Sequence, residues 1–172
     1  MTAPTVTDPA ALKAAANRMF EDMVNGHRPE IVREVLHPDI DFQRAGMGKS
    51  FVYMAAAGGG SSDGVGAAAG DALDGFKAAF AALLEGFPDL RNNVVGPQIA
   101  EGDLVATHIT FTGTHQGTFL GFPATGRAVE FDEVLFTRIR DGRISEIWAL
   151  GDELTFLEQI GLVDAPAAGA AR

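Results

Sequence analysis

The sequence predicts an α+β domain in which helices pack on a curved, antiparallel or mixed β-sheet and leave an apolar pocket between the two layers. Three observations support this class. Apolar residues recur at helical spacing in the first third of the chain, strand-like segments separated by turn residues fill the second half, and one more helical segment follows the last strand. Helices followed by antiparallel hairpins are typical of α+β proteins.

Composition limits the class of protein and its partners. A chain of 172 residues, 47% of them hydrophobic, is expected to form one globular domain over residues 1–172. Its net charge of −10 argues against a nucleic-acid partner and against anionic membrane surfaces. Without cysteine there is no disulfide or thiolate chemistry, and without a signal-like or membrane-spanning segment we expect a cytoplasmic protein.

Two helices are predicted near the N-terminus. The first begins at Asp8-Pro9, where Asp can cap the helix and Pro fits the first turn, and ends at Gly26. The second runs over residues 29–36 and ends before His37-Pro38, because proline disfavours helical geometry in the residue before it.

The middle of the chain changes composition sharply. Residues 39–54 are predicted to be extended and irregular, whereas residues 55–72 consist mostly of Gly and Ala. We expect a flexible surface insertion at 55–72, with a mobile lid over the pocket as the alternative. A third helix, with a clean apolar stripe, is predicted from Asp71 or Asp74 to Phe87.

Four strands and a final helix complete the prediction. A turn at Glu101-Gly102-Asp103 and a hairpin turn at Asp141-Gly142 separate strands. The last helix begins at Asp152 and ends at Gly161, and residues 164–172 form a frayed tail. The strands are expected at residues 91–99, 104–112, 126–139 and 143–150.

A series of short motifs in the second half of the chain suggests a family. These are FPDL at 87–90, then EGDLVA, TGTHQG, GFPATG, RIRDGRISEIW and LEQIG, in this order and at these spacings. Over roughly residues 74–162 the chain resembles the SnoaL-like polyketide cyclases. The resemblance implies a small cone-shaped fold around an apolar pocket, and ring closure of polyketides by intramolecular aldol condensation without metal or nucleotide.

The two catalytic residues of the family are not present in this chain. In the cyclases an Asp on the last strand and a His on the preceding strand transfer protons, and these positions fall on Ala149 and Leu135. Neither side chain can carry a proton. The base is therefore expected elsewhere, at Glu133, Asp152 or one of two histidines.

Each candidate base also has a structural interpretation. Glu133 shares a strand face with Phe131 and Leu135, or it is a surface acid paired with Arg138 or Arg143. Asp152 points to the pocket rim, or only caps the last helix. His108 lies mid-strand and faces either the pocket or the outer surface, and His115 is a base or a turn-stabilising hydrogen bonder.

The remaining site residues are predicted to bind substrate. We expect an apolar pocket lined by Tyr53, Phe131, Leu135, Ile147 and Ala149. The four histidines lack metal-binding spacing and no phosphate-binding loop is found, so neither metal nor cofactor is expected.

The sequence thus predicts a cyclase acting on a hydrophobic small molecule. A cofactor-free hydroxylase or isomerase on the same scaffold is the alternative, and a non-catalytic binding protein is the third hypothesis. Trp148 faces away from Ala149, so it belongs to the core or a subunit interface. A homodimer or higher homo-oligomer through the outer face of the sheet is expected from the resemblance.

Overall fold

The computed structural model describes residues 8–45, 72–119 and 121–163. Within these ranges the predicted α+β class is confirmed: helices cover one face of a mixed six-stranded sheet, and the main apolar core lies between the two layers. Tyr53, the predicted insertion up to residue 71 and the tail at 164–172 lie outside the described residues.

The N-terminal helix begins where the sequence predicts. Helix α1 spans Pro9–Arg18, and the Asp8 carboxylate accepts the Ala10 N–H at 3.0 Å. The helix then widens to a π-helical segment at Met19–Asn25, so the predicted continuous helix is two forms in series. Its apolar side chains, including Phe20 and Met23, are buried against the sheet.

The next segment corrects two predictions. A 3₁₀ turn at Pro29–Ile31 leads to α2, Val32–Val35, which ends one residue early because Leu36 already begins a strand. The extended segment begins at Leu36 rather than at residue 39: strand β1 spans Leu36–Arg44 and pairs in parallel with the last strand, with a register shift between Leu36 and Asp41. As β1 lies at the edge of the sheet, Pro38 is tolerated there.

Helix α3 spans Ala72–Gly86, which confirms the third predicted helix. The predicted strand at 91–99 is two strands, β2 at Arg91–Val94 and β3 at Ile99–Glu101, each antiparallel to β4. Gly96 with φ +66° and the following Pro97, which lacks an N–H, interrupt the pairing.

The long strands of the sheet follow as predicted. Strand β4 spans Leu104–Thr114, β5 Ala128–Arg140 and β6 Arg143–Gly151. Asp141 and Gly142 both have positive φ, as a two-residue type I′ turn requires. Helix α4, Glu153–Ile160, starts after the cap Asp152 and stops at Gly161, whose φ is +81°. The order in the sheet is β1-β6-β5-β4-β2, with β3 also on β4.

Successive side chains of β5 point alternately toward the core and away from it. Phe131, Glu133 and Leu135 point inward, whereas Val134 and Phe136 point outward and are partly exposed. Among the described residues, no helix is both long and apolar enough to span a membrane.

Candidate active site

A cavity of about 210 Å³ lies between the inner face of the sheet and the helices. Its wall is formed almost entirely by apolar side chains, from the π-helical segment Met19–Asn25 to α4, with four polar side chains among them. An apolar enclosure with few placed polar groups is typical of small-molecule sites. The lining includes Phe20, Met23, Phe42, Phe76, Phe80, Leu83, Ile109, Phe111, Phe119, Phe131, Leu135, Ile147 and Phe156, with Arg44, Asn92, Glu133 and Glu153 as its polar members.

Aromatic rings form one wall of this cavity. Phe111 and Phe131, opposite each other on β4 and β5, stack with centroids 4.7 Å apart and an interplanar angle of 30°. Phe131 in turn meets Phe156 of α4 at 5.3 Å, and Phe156 meets Phe119 edge-on at 6.0 Å. Such packed rings give the cavity a firm apolar surface that suits a planar hydrophobic ligand.

Three charged side chains meet in the wall of the cavity, and we call them the Arg44 cluster: Arg44, Glu133 and Glu153. The guanidinium of Arg44 donates to both carboxylate oxygens of Glu133, with Nη1–Oε1 at 2.6 Å and Nη2–Oε2 at 3.1 Å. Its Nη2 also lies 3.2 Å from Glu153 Oε1. All three side chains are largely buried, at 15%, 9% and 6% exposure.

The contact of Arg44 with Glu153 differs in kind from its contact with Glu133. Glu153 Oε1 is within ion-pair distance of Arg44, yet the N–H is not aligned with it, and the atom has no hydrogen-bond partner among the described residues. Burial by itself lowers the pKa of Arg44, but the charges of Glu133 and then Glu153 outweigh burial and hold that pKa above its ordinary value. Arg44 is therefore a permanent cation in an apolar wall.

Local structure explains how the cluster forms. On β1, Arg44 alternates with Ile40 and Phe42, so all three share the inner side of the strand. Glu153 precedes Phe156 and Leu157 by three and four residues, which places it on the buried face of α4. A Cβ at Gly151 would lie 2.8 Å from Arg44 Nη2, so the absence of a side chain there leaves room for the guanidinium in its observed position.

Sequence reasoning did not find Arg44 or Glu153. The signals were present: Arg44 is in phase with two apolar residues of its strand, and Glu153 is in phase with the apolar stripe of its helix. To use either pattern, one must know which face of the strand or helix is buried. The sequence of such short elements does not show which face that is. For Glu133 the partner is Arg44, not Arg138 or Arg143 as the structural alternative supposed.

A family comparison decides the relationship of this chain. The family model of the SnoaL-like polyketide cyclases matches residues 65–160. The chain belongs to the SnoaL-like polyketide cyclase family. No curated protein matches this family member significantly.

Solved structures agree with the assignment to the SnoaL-like family. IdmH, a proposed polyketide cyclase from Streptomyces antibioticus, is 31% identical over 87% of this chain and 98% of its own, with a TM-score of 0.67. AclR, a proposed hydroxylase from Streptomyces galilaeus, is 26% identical over 92% of this chain and 86% of its own, with a TM-score of 0.69.

A third structure shares the fold. The proposed SnoaL-like polyketide cyclase from Jannaschia sp. CCS1 is 23% identical over 94% of this chain and 99% of its own, with a TM-score of 0.70. The helices and the open mixed sheet of the present chain thus form the cone-shaped fold of the SnoaL-like family.

The predicted substrate-binding residues mostly meet in the cavity of this SnoaL-like protein. Phe131, Leu135 and Ile147 line it together with Glu133. Ala149 pairs with Leu135 across the two strands and is fully buried, but it does not line the cavity. The cavity position that the resemblance assigns to a His thus carries Leu135.

The other predicted bases lie away from the cavity. His108 is on the outer face, opposite Val134 and 3.2 Å from the Asp132 carboxylate, because it alternates with the inward Thr107 and Ile109. Asp152 caps α4: its carboxylate accepts the Thr155 N–H at 3.1 Å and the Thr155 hydroxyl at 2.7 Å. The adjacent Glu153 takes the inward position instead.

His115 is buried but belongs to the TGTHQG turn. Its ring stacks on Phe87 with centroids 5.2 Å apart, and Nδ1 lies 3.1 Å from the Thr125 hydroxyl. Burial lowers the pKa of His115, and contact with the Gly117 backbone offsets part of the effect. The ring is therefore a neutral packing group, and it does not line the cavity.

No group of three or more His, Asp or Glu side chains suited to a metal ion occurs within residues 8–45, 72–119 and 121–163. The Arg44 cluster offers two carboxylates, but its third member is a cation. The chemistry that this arrangement can perform is proton transfer beside a fixed positive charge.

Proposed function

We propose that this SnoaL-like protein closes a ring in a hydrophobic, polyketide-like substrate by intramolecular aldol condensation, without a cofactor. The observation that supports it is the Arg44 cluster in the wall of an apolar cavity. A carboxylate can remove a proton next to a carbonyl, and a fixed guanidinium can stabilise the enolate that results. Both groups are present at one site.

The proposed reaction conserves all atoms of the substrate. A cluster carboxylate takes the proton from the carbon next to a carbonyl, and the electron pair moves to the carbonyl oxygen. The N–H groups of Arg44 stabilise this oxygen while the enolate carbon attacks a second carbonyl and forms the new C–C bond. The proton then returns to the new alkoxide. Phe131, Leu135 and Ile147 hold the apolar body of the substrate in this proposal.

Hydroxylation is the second candidate. The similarity to AclR, described as a proposed hydroxylase, favours it, together with the replacement of the usual proton-transfer positions by Leu135 and Ala149. A hydroxylase would consume O₂, which a cyclase does not need.

Product analysis by mass spectrometry separates the two reactions. The pure protein is incubated with aromatic polyketide methyl esters in air and under anaerobic conditions. We expect a ring product of unchanged mass in both atmospheres. A product one oxygen heavier, formed only in air, would replace the cyclase by a hydroxylase, and substrate retained without any product would indicate a binding protein.

Substitution of Arg44 tests whether the product forms at the proposed site. Arg44→Lys keeps a positive charge but loses the planar two-point contact with Glu133, so we expect product formation to fall at least ~10-fold. The control is Arg138→Lys on the outer face, where Arg138 pairs with Asp103 and Glu146. Its activity should be unchanged.

We also propose that the protein forms a homodimer through the outer face of its sheet. Phe136 and Trp148 stack there at 5.6 Å, with Phe136 42% exposed and Val134 and Leu150 exposed beside them. Large exposed apolar side chains that adjoin on one face are typical of an interface.

A further inference from the structure

Of the two carboxylates in the Arg44 cluster, we infer that Glu153 takes the substrate proton, while Glu133 positions Arg44. This assignment rests on the proposed function, because it names the base of that same site. It is carried by the different ways in which the two side chains meet the guanidinium and by their places in the cavity wall.

Both oxygens of Glu133 are engaged by Arg44. Each of its oxygens accepts an Arg44 N–H, one of them at 2.6 Å. Two parallel charge-assisted hydrogen bonds fix the geometry and occupy one lone pair on each oxygen. Such a carboxylate is well suited to hold a guanidinium in place and poorly suited to attack a C–H bond.

Glu153 meets Arg44 only as an ion pair, with Oε1 3.2 Å from Nη2. Its side chain is 6% exposed and lines the cavity, and Oε1 has no hydrogen-bond partner among the described residues. Buried carboxylate oxygens without partners are rare in folded proteins, since each loses its hydration without replacement. An oxygen kept in this state at a cavity wall is available to accept a proton.

Glu153 does not cap the N-terminus of α4. Asp152 provides the N-cap of α4 through Thr155, so the Glu153 side chain is not required at the helix end. It turns instead toward the cavity, in phase with Phe156 and Leu157. Two neighbouring acids thus have separate tasks, one on the surface and one inside.

Charge balance is compatible with this proton transfer. With one guanidinium and two carboxylates, the Arg44 cluster carries one surplus negative charge in an apolar wall, and a buried surplus charge is costly. Uptake of the substrate proton neutralises Glu153. The enolate that forms then becomes the second anion beside Arg44, so the total charge at the site is conserved during the step.

Deuterium exchange isolates the proton-removal step from ring closure. Acetophenone and 2-acetylnaphthalene each have an acidic methyl group next to a carbonyl and no second carbonyl to attack. The cavity of about 210 Å³ is larger than the ~150 Å³ cavity that suffices for benzene. In D₂O the base removes a proton from the methyl carbon and returns a deuteron, which NMR measures as loss of the methyl signal.

The expected result distinguishes the two carboxylates. Wild-type protein should accelerate exchange above buffer, and Glu153→Gln should lose ~10²–10⁴-fold of that rate. Glu133→Gln should keep a larger share of the rate and bind the ketone less well, because Arg44 loses its anchor. Glu158→Gln, on the same helix but outside the cavity lining, is the matched control and should exchange like wild type.

Two outcomes would overturn the assignment: a larger loss of exchange in Glu133→Gln than in Glu153→Gln, or no exchange of either ketone by wild-type protein. Circular dichroism and thermal melting of each variant show whether a loss reflects unfolding. If wild type exchanges and Glu153→Gln does not, but no polyketide is cyclised, the base is correct and the proposed cyclisation is wrong.

Discussion

At the scale of single residues, the Arg44 cluster is a costly arrangement. Breaking a buried ion pair by removal of one partner is typically destabilising by ~3–5 kcal/mol, while apolar residues of equal volume often do as well as the intact pair. An apolar cavity could therefore be closed without these charges. Their presence beside the cavity favours a catalytic or binding role over a purely structural one.

A substitution at Gly151 tests whether the position of Arg44 matters for activity. In Gly151→Ala the new methyl group would lie 2.8 Å from Arg44 Nη2, so the guanidinium must shift. Since a misplacement of ~1 Å can cost ~10²-fold in rate, we expect activity to fall by ~10- to 100-fold. The melting temperature should change little, because only the end of a long side chain moves.

Gly113→Ala is the matched control for this experiment. A methyl group at Gly113 on β4 would meet Phe87 at 3.5 Å, which is an ordinary van der Waals contact. Activity should stay near wild type in that variant. Equal losses in both variants would show that strand packing in general, rather than the position of Arg44, limits the rate.

At the scale of elements, α4 connects a surface cap to a buried side chain. Asp152 holds the first turn through Thr155, and Glu153 then enters the cavity. The hydrogen bonds from the Thr155 hydroxyl and then the Thr155 N–H hold the pKa of Asp152 below its usual range. The stabilisation of the fold by the ionised Asp152 cap is thus fully present above the unfolded-state pKa of Asp152. It is lost as pH falls through the lower folded-state pKa.

Loss of the cap should affect both stability and activity. Asp152→Ala is expected to lower the free energy of unfolding by ~0.5–2 kcal/mol near pH 7, measured by urea denaturation. The difference from wild type should shrink as pH falls from the unfolded-state pKa of about 3.8 through the lower folded-state pKa, because protonation of Asp152 removes the carboxylate that caps the helix. Activity should also fall, since the first turn of α4 carries Glu153.

Asp8→Ala provides the comparison. Asp8 caps α1 in the same way, but far from the Arg44 cluster in the chain and outside the cavity lining. We expect a similar loss of stability at neutral pH without a loss of activity. If both variants lose activity in proportion to stability, α4 has no special part in positioning the base.

At the scale of the whole molecule, the two faces of the sheet differ in character. The inner face holds the cavity and the charged cluster, while the outer face presents Phe136, Trp148 and their apolar neighbours. Polar groups border this apolar area: Arg138 with its two carboxylate partners on one side, and His108 with Asp132 on the other. An apolar centre with a polar rim is the usual anatomy of an interface.

Light scattering during size-exclusion chromatography tests the proposed homodimer. Wild-type protein should elute with twice the chain mass of 18.0 kDa, and Trp148→Glu should elute as a monomer because a charge would be buried at the interface. The control is Leu154→Glu, on a 52% exposed side chain of α4 rather than of the sheet face. A monomeric wild type at micromolar concentration would contradict the proposal.

Much of the fold follows from local sequence. The caps at Asp8 and Asp152, the stop at Gly161 and the Asp141-Gly142 turn are each decided by neighbouring residues, and all are present in the structure. Alternation along β5 also predicted that Glu133 shares a face with Phe131 and Leu135. Errors occurred where local signals are weak, as at the short strands β2 and β3, which depend on pairing with β4.

The sequence alone determined the fold class, the family resemblance and the presence of an apolar pocket, since these depend on periodicity and turn chemistry along the chain. Only the tertiary structure decided which charges meet in that pocket. Arg44, Glu133 and Glu153 come from three elements and are separated by 89 and 20 residues along the chain. Their meeting depends on the parallel pairing of β1 with β6 and on the angle at which α4 leaves the sheet, and both result from packing between distant segments.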